Sequence, residues 1–318
     1  MAKHTIGIIS LGIMGRRMLT YLVTHDSFTV TGVWDPDPAA RAITANEFPD
    51  VTIKPDADAV IADADLVYIA CPPLWHKEYC EKAIAAGKRV YCEKPLGIDV
   101  AQSRALVAAF EASDTANIVN FAQASSPAVE EIERALKAGE MGTVTNVDIT
   151  LHFSQWPRDW QADADWLRFA DQGGYTREVT SHFLYCTERL LGSAKIVFAK
   201  SIYPSEVGLC ETNMYAHLDC SGVPVAVTGA VGGTTPDRIE LAIYGTKRSY
   251  RIQQFYILEK TEGGDWENVF PPLADPRSVS IPRQLDNVAN WMNGADHTMP
   301  SAKAALSVQE LVEGILAK

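Results

Sequence analysis

The feature that most constrains this chain is a rhythm that runs up to about residue 122. Short apolar runs at Thr5–Ser10, Phe28–Trp34, Leu66–Cys71, Arg89–Cys92 and Ile118–Phe121 are separated by amphipathic segments such as Pro38–Phe48, Leu74–Ala86 and Val100–Ala112. Strands that alternate with helices predict a parallel sheet covered on both faces. From about residue 143 the texture changes to alternating runs: Thr143–Phe153, Glu211–Cys220, Val223–Val231, Arg238–Tyr244 and Arg248–Ile257. Turn signals at Ser221-Gly222 and Gly245-Thr246 join the later runs without a long helix between them, which predicts an antiparallel sheet with one face covered. A helix over Gln284–Asn293 and a stretch opened by Ser301 as N-cap close the chain. The expected organisation is an α/β domain over residues 1–122 and an α+β domain over 123–318.

Composition bounds the partners. The chain has 318 residues, which at roughly 150 residues per domain suits two domains. Its 28 basic against 40 acidic side chains leave a net charge of −12, so nucleic acid or an anionic membrane is excluded as the main partner; either needs a concentrated Lys/Arg surface. With 47% hydrophobic residues, disorder is excluded too. Six cysteines (71, 80, 92, 186, 210 and 220) form no Cys-x-x-Cys pair and sit in apolar runs, so buried reduced thiols are expected, with no disulfide or metal framework. No apolar stretch reaches the ~18 residues of a membrane span and the N-terminus lacks a leader pattern, so a cytoplasmic protein is expected.

Three places carry chemistry. Directly after the first strand comes Ser10-Leu11-Gly12-Ile13-Met14-Gly15, leading into a helix. A dinucleotide-binding turn needs glycine where backbone amides approach a pyrophosphate and where helix and strand pack closely. Gly12 and Gly15 fill two of the three usual glycine positions, and Ser10 stands at the first. Twenty residues after Gly15, Asp35 ends the second strand, where a carboxylate can accept from both ribose hydroxyls and repel a 2′-phosphate. That favours NAD over NADP. The loop Cys71-Pro72-Pro73-Leu74-Trp75-His76 and the tripeptide Glu93-Lys94-Pro95 each follow a strand, and strand carboxyl ends form the ligand crevice of such a sheet. Lys94 is placed there to donate to a substrate hydroxyl or carbonyl. The plainer readings are a tight turn, a turn aspartate and a surface lysine.

Together the segments Thr5–Gly15, Cys71–Gly97 and Asp165–Gly192 resemble the glucose-fructose oxidoreductase / inositol dehydrogenase / rhizopine catabolism (Gfo/Idh/MocA) family. The resemblance implies a Rossmann domain followed by a domain with an open, mostly antiparallel sheet, and an oxidoreductase using a pyridine nucleotide on sugars, polyols or related hydroxy compounds. It implies a homodimer or homotetramer. Lys94 matches the family's catalytic lysine, and Ser10, Gly12, Ile13, Met14, Asp35, Cys71, Pro72, His76 and Glu93 fall at cofactor positions. The family's glycines followed by Asp and His read here as Gln172-Gly173-Gly174, Glu178 and His182. Spaced i, i+4, Glu178 and His182 share one helix face, which suits a carboxylate orienting an imidazole; an ordinary surface pair is the alternative. Four departures stand out: Ser10 for glycine, Pro73 for Asn, Ala124 for Arg and Tyr185 for Asp.

The loop from His152 to Trp160, followed by Trp166 and Arg168, holds three tryptophans and two arginines able to stack on a sugar ring or clamp a carboxylate. Trp166, Arg168 and Tyr175 are the expected substrate contacts. Two rival functions share this machinery. One is an enzyme with tightly bound NAD that uses transient sugar oxidation for elimination or hydrolysis. The other is a non-catalytic NAD-sensing protein.

Overall fold

The computed structural model describes residues 3–317. They divide into two compact units: the chain up to Phe121 with Ser278–Leu306, and Ala122–Arg277 with the residues from Ser307 on.

The first unit opens with β1 (His4–Ile9), α1 (Ile13–Leu22), β2 (Phe28–Trp34), α2 (Pro38–Glu47), α3 (Ala57–Ala62), β3 (Leu66–Ile69), α4 (His76–Ala85), β4 (Arg89–Glu93), α5 (Val100–Ser113) and β5 (Asn117–Asn120). All strand pairs are parallel and the order is β2-β1-β3-β4-β5. Residues Ile6–Ile9, all of β3 and Val90–Glu93 are buried, as expected of a sheet covered on both faces. Three aspartates start helices by accepting from backbone amides: Asp37 from Ala39, Asp56 from Ala59 and Asp99 from Gln102. The strand order reverses beside β1, so the carboxyl ends of β1 and β3 flank a switch-point crevice.

The second unit contains α6 (Pro127–Lys137), β6 (Val144–Phe153), α7 (Ser181–Leu191), β7 (Ala194–Ile202), β8 (Asn213–Cys220), β9 (Val223–Val231), β10 (Arg238–Gly245), β11 (Ser249–Gln253), β12 (Ile257–Thr261) and β13 (Glu267–Asn268). Its sheet runs β13-β12-β11-β10-β6-β9-β8-β7, antiparallel except where β6 pairs with β9. Alternate residues of β6 (Val147, Ile149, Leu151, Phe153) and β8 (Met214, Ala216, Leu218, Cys220) are buried, which is the one-sided burial that the alternation predicts. The run Arg248–Ile257, read from sequence as one strand, is two. Gln254 and Phe255 adopt φ of 48° and 69°, turning the chain into β12. The Phe255 ring packs 5.2 Å from Phe183 and 5.4 Å from His182.

The chain ends with α8 (Arg277–Met292) and α9 (Ala302–Leu316). Residues 278–306, which the sequence left with the later domain, belong to the first unit. Val119 donates to the Pro300 carbonyl (2.9 Å) and Ala302 to the Asn117 side chain (2.8 Å), so this segment closes the β5 edge. Ser301 accepts from Ala304 (3.4 Å), the expected N-cap. Among the described residues no helix is long and apolar enough to cross a membrane.

Candidate active site

In the first unit the turn after β1 is built around Ser10. Its φ is 79°, in the left-handed region, at the position where glycine is usual. Two contacts hold it: the amide donates to the Trp34 carbonyl (2.7 Å) and the hydroxyl to Asp35 Oδ2 (3.1 Å). The same oxygen accepts from the Leu11 amide (2.6 Å), and Oδ1 accepts from Asp37 (2.8 Å). Asp35 is therefore the organiser of the turn as well as a charge at the end of β2, a task its sequence position does not reveal. A Cβ at Gly15 would collide with the Ser10 carbonyl, whereas one at Gly12 would meet nothing within 4 Å. Gly12 is the N-cap of α1 and provides no side-chain cap, so the helix starts at Ile13 with its first amides, including Met14, uncapped. Open space over uncapped amides at a helix N-terminus fits a diphosphate.

The loops after β3 and β4 are tied together. His76 is fully buried, with Nε2 2.8 Å from the Cys71 carbonyl and Nδ1 2.9 Å from that of Pro95. Burial holds its pKa below the ordinary histidine range. The structure thus places His76 as a strut between loops, with no surface left for a ligand. Pro72 leads into a 3-10 turn over Pro73–Trp75, and Cys71 is buried.

Glu93, at the end of β4, is 5% exposed. Its Oε1 accepts from the Tyr68 hydroxyl and the Asn120 amide, both at 2.5 Å, and Oε2 accepts from the Lys94 backbone (3.3 Å). Asn120 in turn accepts from the Tyr91 hydroxyl (2.6 Å) and from Gln284 of α8. Burial, reinforced by the Glu93 charge, raises the pKa of both phenols far above the usual value, so they remain donors. Lys94 follows, half-buried, on a backbone fixed by this network. Sequence reasoning missed Tyr68, Tyr91, Asn120 and Gln284; the only available signal was two tyrosines inside otherwise apolar strands.

In the second unit Glu178 lies in a π-helical turn, Thr176–Thr180, that runs directly into α7 and His182. Single π turns in helices are uncommon and gather at functional sites. The entry is packed tightly. A Cβ at Gly173 would meet the Trp166 and Leu167 carbonyls at 2.5 Å, and one at Gly174, whose φ is +96°, would strike the Glu211 carboxylate. Glu211, buried and with its pKa raised by burial, accepts from the Thr176 amide (2.8 Å). Arg177 forms two bonds to Glu313 (2.7 and 2.8 Å) and donates to the carbonyls of Ala170 and Gly173. Glu178 accepts from Gln161 (3.5 Å), and His182 is 6% exposed with its ring edge-on to Phe255. The chain thus brings Glu178 and His182 onto one short helical segment.

The expected substrate contacts fare unequally. Trp166 is half-buried; Arg168 is exposed, 3.6 Å from Asp165 and stacked on Phe169. Tyr175 is fully buried against Phe153 and Trp156, and its ring covers Gly229 of β9. The structure places it in the core, where burial pushes its pKa up.

Two independent matches bear on this arrangement. Residues 4–121 match the oxidoreductase family with an NAD-binding Rossmann fold, and residues 129–251 match the GFO/IDH/MocA C-terminal domain. The chain belongs to the Gfo/Idh/MocA oxidoreductase family. Among Gfo/Idh/MocA relatives, an inositol 2-dehydrogenase of Acidothermus cellulolyticus is 33% identical over 144 residues, 43% of this chain and 41% of that protein. A 2,7-anhydro-N-acetylneuraminate hydratase of Escherichia coli is 24% identical over 190 residues, 58% of this chain and 49% of that protein. The chain therefore matches about half the length of these curated relatives. A crystal structure of an oxidoreductase from Agrobacterium radiobacter in complex with NAD+, L-tartaric acid and magnesium superposes with a TM-score of 0.83 at 19% identity, covering 98% of this chain and 95% of that one. That likeness speaks to the fold. At two of the departures, the Ala124 carbonyl accepts from Arg189 (2.7 Å) and Tyr185 is buried.

Proposed function

We propose that this protein is an NAD-dependent dehydrogenase that moves hydride between the nicotinamide and a CH–OH group of a sugar, polyol or related hydroxy compound. One observation carries the reading: Lys94 follows a buried Glu93 carboxylate that Tyr68 and Asn120 clamp from neighbouring strands. A lysine whose backbone is held at the carboxyl end of an interior strand of a dinucleotide-binding sheet suits proton handling beside a bound nicotinamide. When bound, the nicotinamide supplies the hydride acceptor. The amides of Ile13 and Met14 at the start of α1 would hold the diphosphate, and Cys71 and Pro72 would serve the same cofactor from the loop after β3. Lys94 and His182 take the hydroxyl proton, and Glu178 orients the imidazole from the preceding turn. Asp35 keeps a buried negative charge at the ribose end, which disfavours a 2′-phosphate and supports NAD over NADP. Trp166 and Arg168 contact the substrate.

A homodimer or homotetramer completes the proposal. Val197 (61% exposed) and Phe198 (55%) of β7 lie with Tyr215 of β8 as large apolar side chains on the sheet surface. The test is formation of reduced nicotinamide with NAD+ or NADP+ across polyols, aldoses, inositols and sugar acids. The hydratase relative favours one second reading, in which transient oxidation enables elimination and the NAD is retained. Protein that purifies with NAD and eliminates water without net reduction would support it.

A further inference from the structure

The second unit has nine arginines between Ala122 and Arg277, and seven of them (134, 168, 177, 189, 238, 248 and 251) pair with a carboxylate. Arg158 and Arg277 form no ion pair among the described residues, and these two share one ring. The Arg158 guanidinium lies 4.7 Å from the Trp160 centroid and 5.5 Å from those of Phe153 and Trp156; that of Arg277 lies 5.5 Å from Trp160. In a chain with 40 acidic residues, two guanidiniums that stack on one ring and have no carboxylate ion pair among the described residues leave positive charge that an anion can meet.

The cluster is connected to the proposed catalytic helix. Arg158 donates from Nε to Gln161 (2.9 Å), and Gln161 donates to Glu178 (3.5 Å). Among the described residues the terminal nitrogens of Arg158 have no hydrogen-bond partner. Burial lowers the Arg158 pKa, the Glu178 and Asp237 charges oppose that, and Arg277 adds repulsion. An incoming anion relieves the repulsion between the two arginines, while the charge of Glu178 limits how much negative charge the place accepts. A planar monoanion matches a guanidinium edge in two bonds, and an aromatic face beside it suits the carbon skeleton of a sugar.

We propose that the substrate carries a carboxylate, held by Arg158 and Arg277 over Trp160, so that the enzyme acts on sugar acids in preference to neutral sugars. This rests on the dehydrogenase reading above and narrows it. Arg168, paired with Asp165 and stacked on Phe169, meets another part of the substrate than its carboxylate.

The test uses the full-length protein with NAD(H) and matched probes: D-glucuronate against D-glucose, D-gluconate against D-sorbitol, and glucose 6-phosphate as dianion. Binding to the NADH-loaded protein is followed by tryptophan fluorescence, and turnover by reduced nicotinamide. Each acid is expected to bind about tenfold to a hundredfold more tightly than its neutral partner, the range of one charge-assisted contact. The preference shrinks toward parity in Arg158→Gln and partly in Arg277→Gln, whose exposed side chain leaves folding independent of the change. Acid binding without reduction of NAD+ by any probe would sink the dehydrogenase reading and support the carboxylate site. Turnover of neutral sugars with no acid preference overturns the inference and leaves that reading intact. Tighter binding of glucose 6-phosphate than of glucuronate also overturns it, and so does the absence of any binding.

Discussion

Ser10 and Asp35, 25 residues apart, are joined by a 3.1 Å hydrogen bond that lets a serine occupy a backbone conformation usually left to glycine. The left-handed φ costs about 1–2 kcal/mol, and the hydroxyl contact to a charged acceptor offsets a similar amount. Ser10→Gly is therefore expected to change stability by less than about 1 kcal/mol and NAD affinity by no more than a few-fold. Asp35→Ala removes the acceptor of three donors and should cost on the order of 3 kcal/mol, with weaker NAD binding. Chemical denaturation and NAD titration of both variants check this; equal losses in the two would contradict the asymmetry.

The Tyr68 hydroxyl donates to Glu93 Oε1, as does the Asn120 amide. Tyr68→Phe keeps the ring packing 4.8 Å from Tyr91 while leaving the buried carboxylate short of a donor. The expected result is a loss of about 1–3 kcal/mol and a reduced kcat with little change in KM. Steady-state kinetics beside a melting curve separate the two effects. Unchanged kcat would mean that Glu93 does not need this clamp.

Glu211 gives a prediction with a sign. Burial raises its carboxyl pKa, with the Thr176 amide and the Arg177 charge opposing. The folded state thus keeps the proton to a higher pH than the unfolded chain does. Its contribution is fully present below the unfolded carboxylate pKa and is lost as pH rises through the folded value. Glu211→Gln, which retains an acceptor for Thr176, should match the wild type near pH 4 and exceed it in stability at neutral pH. Glu211→Ala loses the bond at the start of the Glu178 segment, with a cost of about 1 kcal/mol and slower turnover. Urea unfolding at several pH values decides between these outcomes.

Much of the frame was legible in the sequence because its signals are local. The spacing of apolar runs defined the parallel sheet, and Gly15 had to be glycine because it abuts Ser10. What stayed hidden depends on partners far apart in the chain. Gln284 reaches Asn120 across 164 residues, and no periodicity links them. Arg277 meets the ring of Trp160 only because the fold returns it there. β7 escaped notice because Lys195, Val197 and Phe198 are exposed and leave no clean apolar alternation. Tyr175 looked like a pocket residue one turn before Glu178, but packing against Gly229 decides its place.

The exposed β7 face leads to a simple expectation for assembly. Light scattering should give a mass of two or four chains, and a charged replacement such as Phe198→Glu should shift it toward the monomer. A monomeric wild type would remove the oligomer from the account.

The central claim, that Lys94 serves hydride transfer from a hydroxylated carbon to NAD, is tested most directly by comparing wild type and Lys94→Ala in one assay. Both proteins are titrated with NAD+ and then offered the panel of polyols, aldoses, inositols and sugar acids while reduced nicotinamide is monitored. Wild type is expected to reduce NAD+ with one stereochemical group of substrates, and the variant to bind NAD+ within a few-fold of wild type yet turn over at least ~100-fold more slowly. A variant that keeps most of the wild-type rate would contradict it.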